Sequence, residues 1–266
     1  LSTVFMGGVI GSGTIESIEK VVNLGSLTSS QDGKYLHKIE MGGIFGQLTE
    51  IKDSISFLYN TGSLNLVLES DVQVNLAGIG NIYGSTEEIN IRSLTNQGSL
   101  SFIYPVGSSL TSLELSQMDV NVSGVLTTDL VDGQIEGLFN MANLNLDLDI
   151  IDRISGTLIV KNTNSINLFQ SYNTGNINLE TKNELEQSQL MISGNVIGTN
   201  ISFEHLHNEG NITIDINHST SLSVVNGNLY VFGLFNEISQ NQKAVNGYNG
   251  GNISILQNPA TVLNYN

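Results

Sequence analysis

The sequence predicts an all-β fold: a right-handed parallel β-solenoid of about seven coils, each of roughly 37 residues. Three observations predict it. One short motif recurs along the whole chain. The residues that follow it alternate apolar and polar with period two. No long helical periodicity appears anywhere.

The motif is Asn-x-Gly-[Ser/Asn]-[Leu/Ile]. Its copies begin at Asn23, Asn60, Asn96, Asn140, Asn173, Asn208 and Asn249, at intervals of 37, 36, 44, 33, 35 and 41 residues. Only the Asn140 copy departs, with Ala142 where the others carry glycine. A second mark lies 14 to 18 residues upstream of each copy, at Gly8, Gly43, Gly78, Gly124, Gly156, Gly194 and Gly233. Two residues before each of these stands an apolar side chain: Met6, Met41, Leu76, Val122, Ile154, Ile192 and Val231.

Alternation defines the strands. Four positions after the asparagine come Leu27, Leu64, Leu100, Leu144, Ile177, Ile212 and Ile253, and two further on Ser29, Leu66, Phe102, Leu146, Leu179, Ile214 and Ile255. Between these columns lie Thr28, Asn65, Ser101, Asn145, Asn178, Thr213 and Ser254. Such a segment is a strand with one face buried and one wet. Five positions before the asparagine, Ile18, Ile55, Ile91, Ile135, Leu168, Phe203 and Ala244 mark a second strand, and the residues around the upstream glycine a third. Three strands per unit are therefore expected, their apolar columns stacking unit on unit about 4.8 Å apart. The glycine two positions after each asparagine suits a corner with positive φ. The asparagines themselves suit an amide ladder from unit to unit. Pro105 to Met118 is the longest stretch outside the pattern and reads as an inserted loop. Right-handed winding follows the usual hand of parallel crossovers. A propeller of antiparallel hairpins is the rival arrangement. Propeller repeats are longer and carry aromatic signatures, whereas aromatic residues here are 6% and follow no column.

Composition narrows function. Lys and Arg number 9 against 25 Asp and Glu, for a net charge of −16, so binding to nucleic acid or to an anionic membrane surface is disfavoured. The absence of cysteine removes disulfides, thiolate metal sites and a cysteine nucleophile. No apolar run approaches the roughly 18 residues that span a bilayer. The chain opens on Leu1-Ser2-Thr3, with neither Met nor a basic-then-apolar leader. It reads as one solenoid domain, residues 1–266, within a longer protein.

Met41-Gly42-Gly43-Ile44-Phe45-Gly46, followed by the Ser-Ile-Ser-Phe-Leu-Tyr-Asn-Thr-Gly run from Ser54 to Gly62, resembles the GLUG repeat of bacterial surface and secreted proteins. Ser171-Tyr172-Asn173-Thr174-Gly175-Asn176-Ile177 is similar to the same repeat, and the resemblance extends over all seven units. It implies a stalk or adhesin region on a bacterial cell surface. It implies neither a ligand nor catalytic residues.

The candidate sites lie on the strand after the asparagine. Its small polar column, with Asn145, Asn178, Thr213 and Ser254 as the chosen residues, offers a flat array of hydrogen-bonding groups to a glycan or a protein. Seven positions after the asparagine, Asp147, Glu180 and Asp215 form an acidic strip of hard oxygen ligands suited to Ca²⁺, the one cofactor candidate. Asp149, Lys182 and Asn217 lie beside them. Paired carboxylates also suit glycoside hydrolysis. His205 and His207 share a strand face and, with His218 or Glu209, make a second metal candidate. No Ser/His/Asp order or phosphate loop is present. The reading is a non-enzymatic, extracellular, cell-surface segment that extends, displays loops and adheres to a host or neighbouring-cell glycan or protein. Its rivals are a polysaccharide-degrading enzyme on the same scaffold and a filament built by end-to-end self-association.

Overall fold

The computed structural model describes residues 2–31, 36–68, 72–83, 88–104, 120–129, 132–148, 158–160, 165–181, 189–198, 201–216, 224–226, 228–235, 242–257 and 262–264. Among these every regular element is a strand, and none is a helix long and apolar enough to cross a membrane. Pro105 to Met118, together with Ile154 and Gly156, lie outside the described residues.

The repeating unit holds four strands rather than the expected three; in the first unit the third of them is split into Ile18–Glu19 and Val22–Asn23. In the second unit they are Leu36–Gly42, Phe45–Ile51, Ser54–Asn60 and Leu64–Leu68. The extra strand was hidden because the segment around the upstream glycine is two strands bent at that glycine. Each strand pairs in parallel with its counterpart in the next unit, which builds four main stacked sheets; two further two-stranded sheets pair Gln189–Ser193 with Asn228–Phe232 and Val224–Asn226 with Val262–Asn264. The fourth sheet is the most regular. It holds seven strands, one per sequence unit, from Leu27–Gln31 to Ile253–Gln257. The register is the one read from the sequence: Leu64 faces Leu100, Leu100 faces Leu144, and Ile177 faces Ile212. In the third sheet Ile18, Ile55, Ile91, Ile135, Leu168, Phe203 and Ala244 align in one row.

The apolar columns close into two clusters. One lies between the opening and fourth sheets and includes Met41, Leu64, Leu66, Leu76, Phe102 and Leu146. The other lies between the second and third sheets and includes Ile44, Phe45, Ile55, Leu94 and Leu138. The asparagine ladder runs between them. From Asn23 to Asn249 each side chain donates from Nδ2 to Oδ1 of the next, at 2.7–2.8 Å in five of the six rungs. Each Nδ2 also donates to the carbonyl two residues on, and in most units Oδ1 accepts that residue's N–H. The amides of Asn60, Asn96 and Asn208 thus have both hydrogens and their oxygen engaged, which a buried polar group requires. The backbone partners also fix which end of each amide is nitrogen.

The two glycine marks serve this ladder. A β-carbon on Gly78 would lie 1.9 Å from the Gly124 carbonyl oxygen and 2.4 Å from Asn96 Nδ2. One on Gly175 would lie 1.8 Å from the Ala142 oxygen. Close approach, not positive φ, is what excludes side chains here. Ala142 is the one β-carbon in its column, and the rung beside it, Asn96 to Asn140, is stretched to 3.4 Å. Positive φ occurs instead three residues before each asparagine, at Lys20, Phe57, Ser93, Gly137, Gln170, His205 and Asn246. Six of these are not glycine, a strained conformation costing about 1–3 kcal/mol each that the surrounding register imposes.

Outside the glycine bend, polar groups are buried between the opening and second sheets. Asn121 donates to Asn75 and Asn75 to the fully buried Glu40, at 2.8 and 2.9 Å, and Lys38 pairs with Glu40. The Lys38 ammonium sits 5.0 Å over the Tyr83 ring. Burial, then the negative charges of Glu40 and Asp129, hold the Tyr83 hydroxyl far above the usual tyrosine range. Its oxygen has no hydrogen-bond partner among the described residues. The folded pKa is raised, so the titration of Tyr83 costs no stability below about pH 10, where the unfolded side chain is still neutral, and stability falls as pH rises beyond it. Tyr83→Phe is expected to change urea stability by less than about 1 kcal/mol at neutral pH and to flatten the loss above about pH 10. Urea midpoints of both proteins across that range are the check. An equally steep alkaline loss in the variant would contradict the assignment.

Candidate functional site

Alternation in the fourth sheet sets its outer face. Positions four and six after each asparagine turn inward, so positions five and seven turn out. Asn145 and Asn178 are exposed, and Asn178 Nδ2 donates to Asn145 Oδ1 at 2.9 Å. That bond uses one hydrogen of Asn178, so both amides keep donors and acceptors for a ligand. Asn145, Asn178 and Thr213 line a shallow groove of about 350 Å³ with Ser101, Ile103, Asp147, Glu180 and Asp215. Ser254 continues the row beside Thr213. The chosen polar residues therefore share one face, and the acidic ones share it with them.

The position three after the asparagine proves to be a ladder of a different kind. Oδ1 of Asn143, Asn176 and Asn211 accepts the backbone N–H of the equivalent residue in the next unit, each at 2.9 Å. Those oxygens are committed to the fold. Binding capacity is concentrated two residues further on.

Asp147, Glu180 and Asp215 are neighbours in register, one rung apart. They run in a row, whereas a Ca²⁺ site gathers six to eight oxygens around one centre. Among the described residues no group of three or more His, Asp or Glu is placed to hold a metal ion. The Ca²⁺ expectation thus rests on register alone. Asp149, Lys182, Asn217 and His218 lie outside the described residues.

His205 and His207 both turn outward, with the buried Leu206 between them. His205 is the positive-φ residue of its unit, with φ 59°, and the alternation breaks between Glu204 and His205, which are both exposed. His205 lies 3.7 Å from Glu204. His207 instead joins an outward aromatic row, tilted between Tyr172 and Tyr248 with ring centroids 5.9 and 5.8 Å away. That row occupies the position just before each asparagine: Tyr59, Thr95, Phe139, Tyr172, His207 and Tyr248 align by register. Aromatic residues do follow a column, contrary to the sequence reading, and the signal was their place next to the motif asparagine. The hydrogen bond of the Tyr172 hydroxyl to Glu209, then slight burial and the charge of Glu209, raise its pKa, so it is a neutral donor at physiological pH.

Comparison with family models, curated proteins and solved structures returned no match in any of the three.

Proposed function

We propose that the chain is a right-handed parallel β-solenoid of seven coils, about 34 Å tall at the strand spacing, and that it serves as a non-enzymatic, extracellular segment of a cell-surface protein. Within each described unit the four strands lead in order toward the opening strand of the next, and each lies on its counterpart. The resemblance to GLUG repeats supports a stalk or adhesin on a bacterial surface. The observation that carries the binding role is the groove on the fourth sheet, where small amide and hydroxyl groups repeat at one height per coil. Such an array matches the regularly spaced hydroxyls of a glycan. The exposed apolar residues of the first and last coils, Leu24, Ile253, Ile255 and Leu256 among them, support end-to-end self-association as a further property.

Binding of the full chain to a glycan array is the test, with Asn145→Ala/Asn178→Ala as the variant. Binding without release of reducing sugar, weakened roughly tenfold or more in the variant, is expected. Released sugar would favour the polysaccharide-degrading rival, and failure to bind any glycan would remove the adhesion reading.

A further inference from the structure

We propose that the outer face of the third sheet, across its last three units, binds an extended neutral polysaccharide, with Tyr172, His207 and Tyr248 as the platform under its sugar rings. This site is separate from the groove on the fourth sheet, and it rests on the adhesin reading only in taking a saccharide as partner. Two independent observations carry it.

The first is the aromatic row itself. Tyr172, His207 and Tyr248 stand one rung apart along the stacking direction. They are partly or largely exposed, Tyr248 by 52%. Their planes are tilted by 51° and 60° to one another, so no ring covers the whole face of its neighbour. Part of each aromatic face stays open to a ligand. One strand step, about 4.8 Å, is close to the advance per residue of an extended pyranose chain, so successive rings can meet successive sugars. The apolar C–H face of a pyranose matches an aromatic face, and the polar tips of tyrosine and histidine suit its hydroxyl edge.

The second observation is the polar groove on the same strands. Asn167, Phe169, Ser202, Phe203, Glu204, Lys243 and Val245 enclose about 400 Å³ on this sheet. Two aromatic side chains, Phe169 and Phe203, beside amide, hydroxyl, carboxylate and ammonium groups provide the apolar wall and few directed hydrogen bonds of a saccharide subsite. Charge selects among polysaccharides. Glu204 and Glu209 flank the row in a chain of net charge −16, which repels an anionic polymer and leaves carboxylates to accept hydroxyl hydrogens from a neutral one.

Affinity electrophoresis of the full chain decides it, in gels cast with barley β-glucan, xylan or galactomannan, and with polygalacturonate as the anionic control. Retardation by at least one neutral polymer and by none of the anionic one is expected. Tyr172→Ala/Tyr248→Ala should weaken it roughly tenfold or more, Tyr172→Phe should retain most of it, and Glu50→Ala, exposed on the second sheet, should leave it unchanged. An unchanged melting temperature verifies that the variants fold. Lack of retardation in every neutral gel, or full binding by the double tyrosine variant, would overturn the proposal. Loss confined to the Asn145/Asn178 variant would also overturn it, while leaving the proposed function standing.

Discussion

Asn173→Ala is expected to destabilise the protein by about 3–5 kcal/mol, a large effect for one polar side chain. Three groups lose a partner at once. Asn140 Nδ2 loses its acceptor at 2.7 Å, Asn208 Oδ1 loses its donor at 2.7 Å, and the Gly175 carbonyl loses its donor at 2.9 Å. All three sit between the two apolar clusters, where water does not replace the missing bonds. Asn178→Ala is the control. That side chain makes a comparable amide–amide bond on the surface, so its removal should cost no more than about 0.5 kcal/mol. Urea midpoints of the two variants check the contrast. Equal small losses would mean that the buried ladder contributes no more than a surface one.

Leu146→Asp should cost about 4 kcal/mol or more. Leu146 is 3% exposed and stacks between Phe102 and Leu179. An ionised carboxylate there faces only hydrocarbon. The adjacent position supplies the counter-test, because a strand that slips by one residue exchanges its two faces. Asp147→Leu, on the outer face, should lie within about 0.5 kcal/mol of the parent. If the two substitutions had similar effects, the face assignment of the fourth sheet would be wrong.

Much of this fold was legible because two residue types mark fixed points of each unit. The asparagine ladder followed from position alone: seven asparagines at one height per unit can meet only if the units stack in parallel. The meaning of the glycines was less accessible. Gly78 and Asn96 are far apart in sequence but touch across the unit, so the constraint on Gly78 exists only after folding. The positive-φ column was invisible because its residues share no chemistry. Lys20, Phe57, Ser93 and Gln170 adopt that conformation under the register of their neighbours, not by preference. On the fourth sheet, whose strands hold no positive-φ residue, counting by twos placed Asn145, Asn178, Asp147 and Glu180 on the groove. The aromatic row escaped because Val22 and Thr95 interrupt it, although Tyr59, Phe139, Tyr172 and Tyr248 each stand directly before a motif asparagine.

The central claim is that seven units stack in sequence order, each one strand step above the last. Pulsed electron–electron resonance between spin labels at equivalent exposed positions measures this directly, and the chain has no native cysteine to interfere. With one label at Thr28, a second at Asn178 is four steps away and one at Ser254 six. The stack predicts distances near 19 and 29 Å, rising linearly with the number of units. A closed ring of blades would bring the first and seventh units side by side, and a shorter distance from Thr28 to Ser254 than to Asn178 would contradict the account.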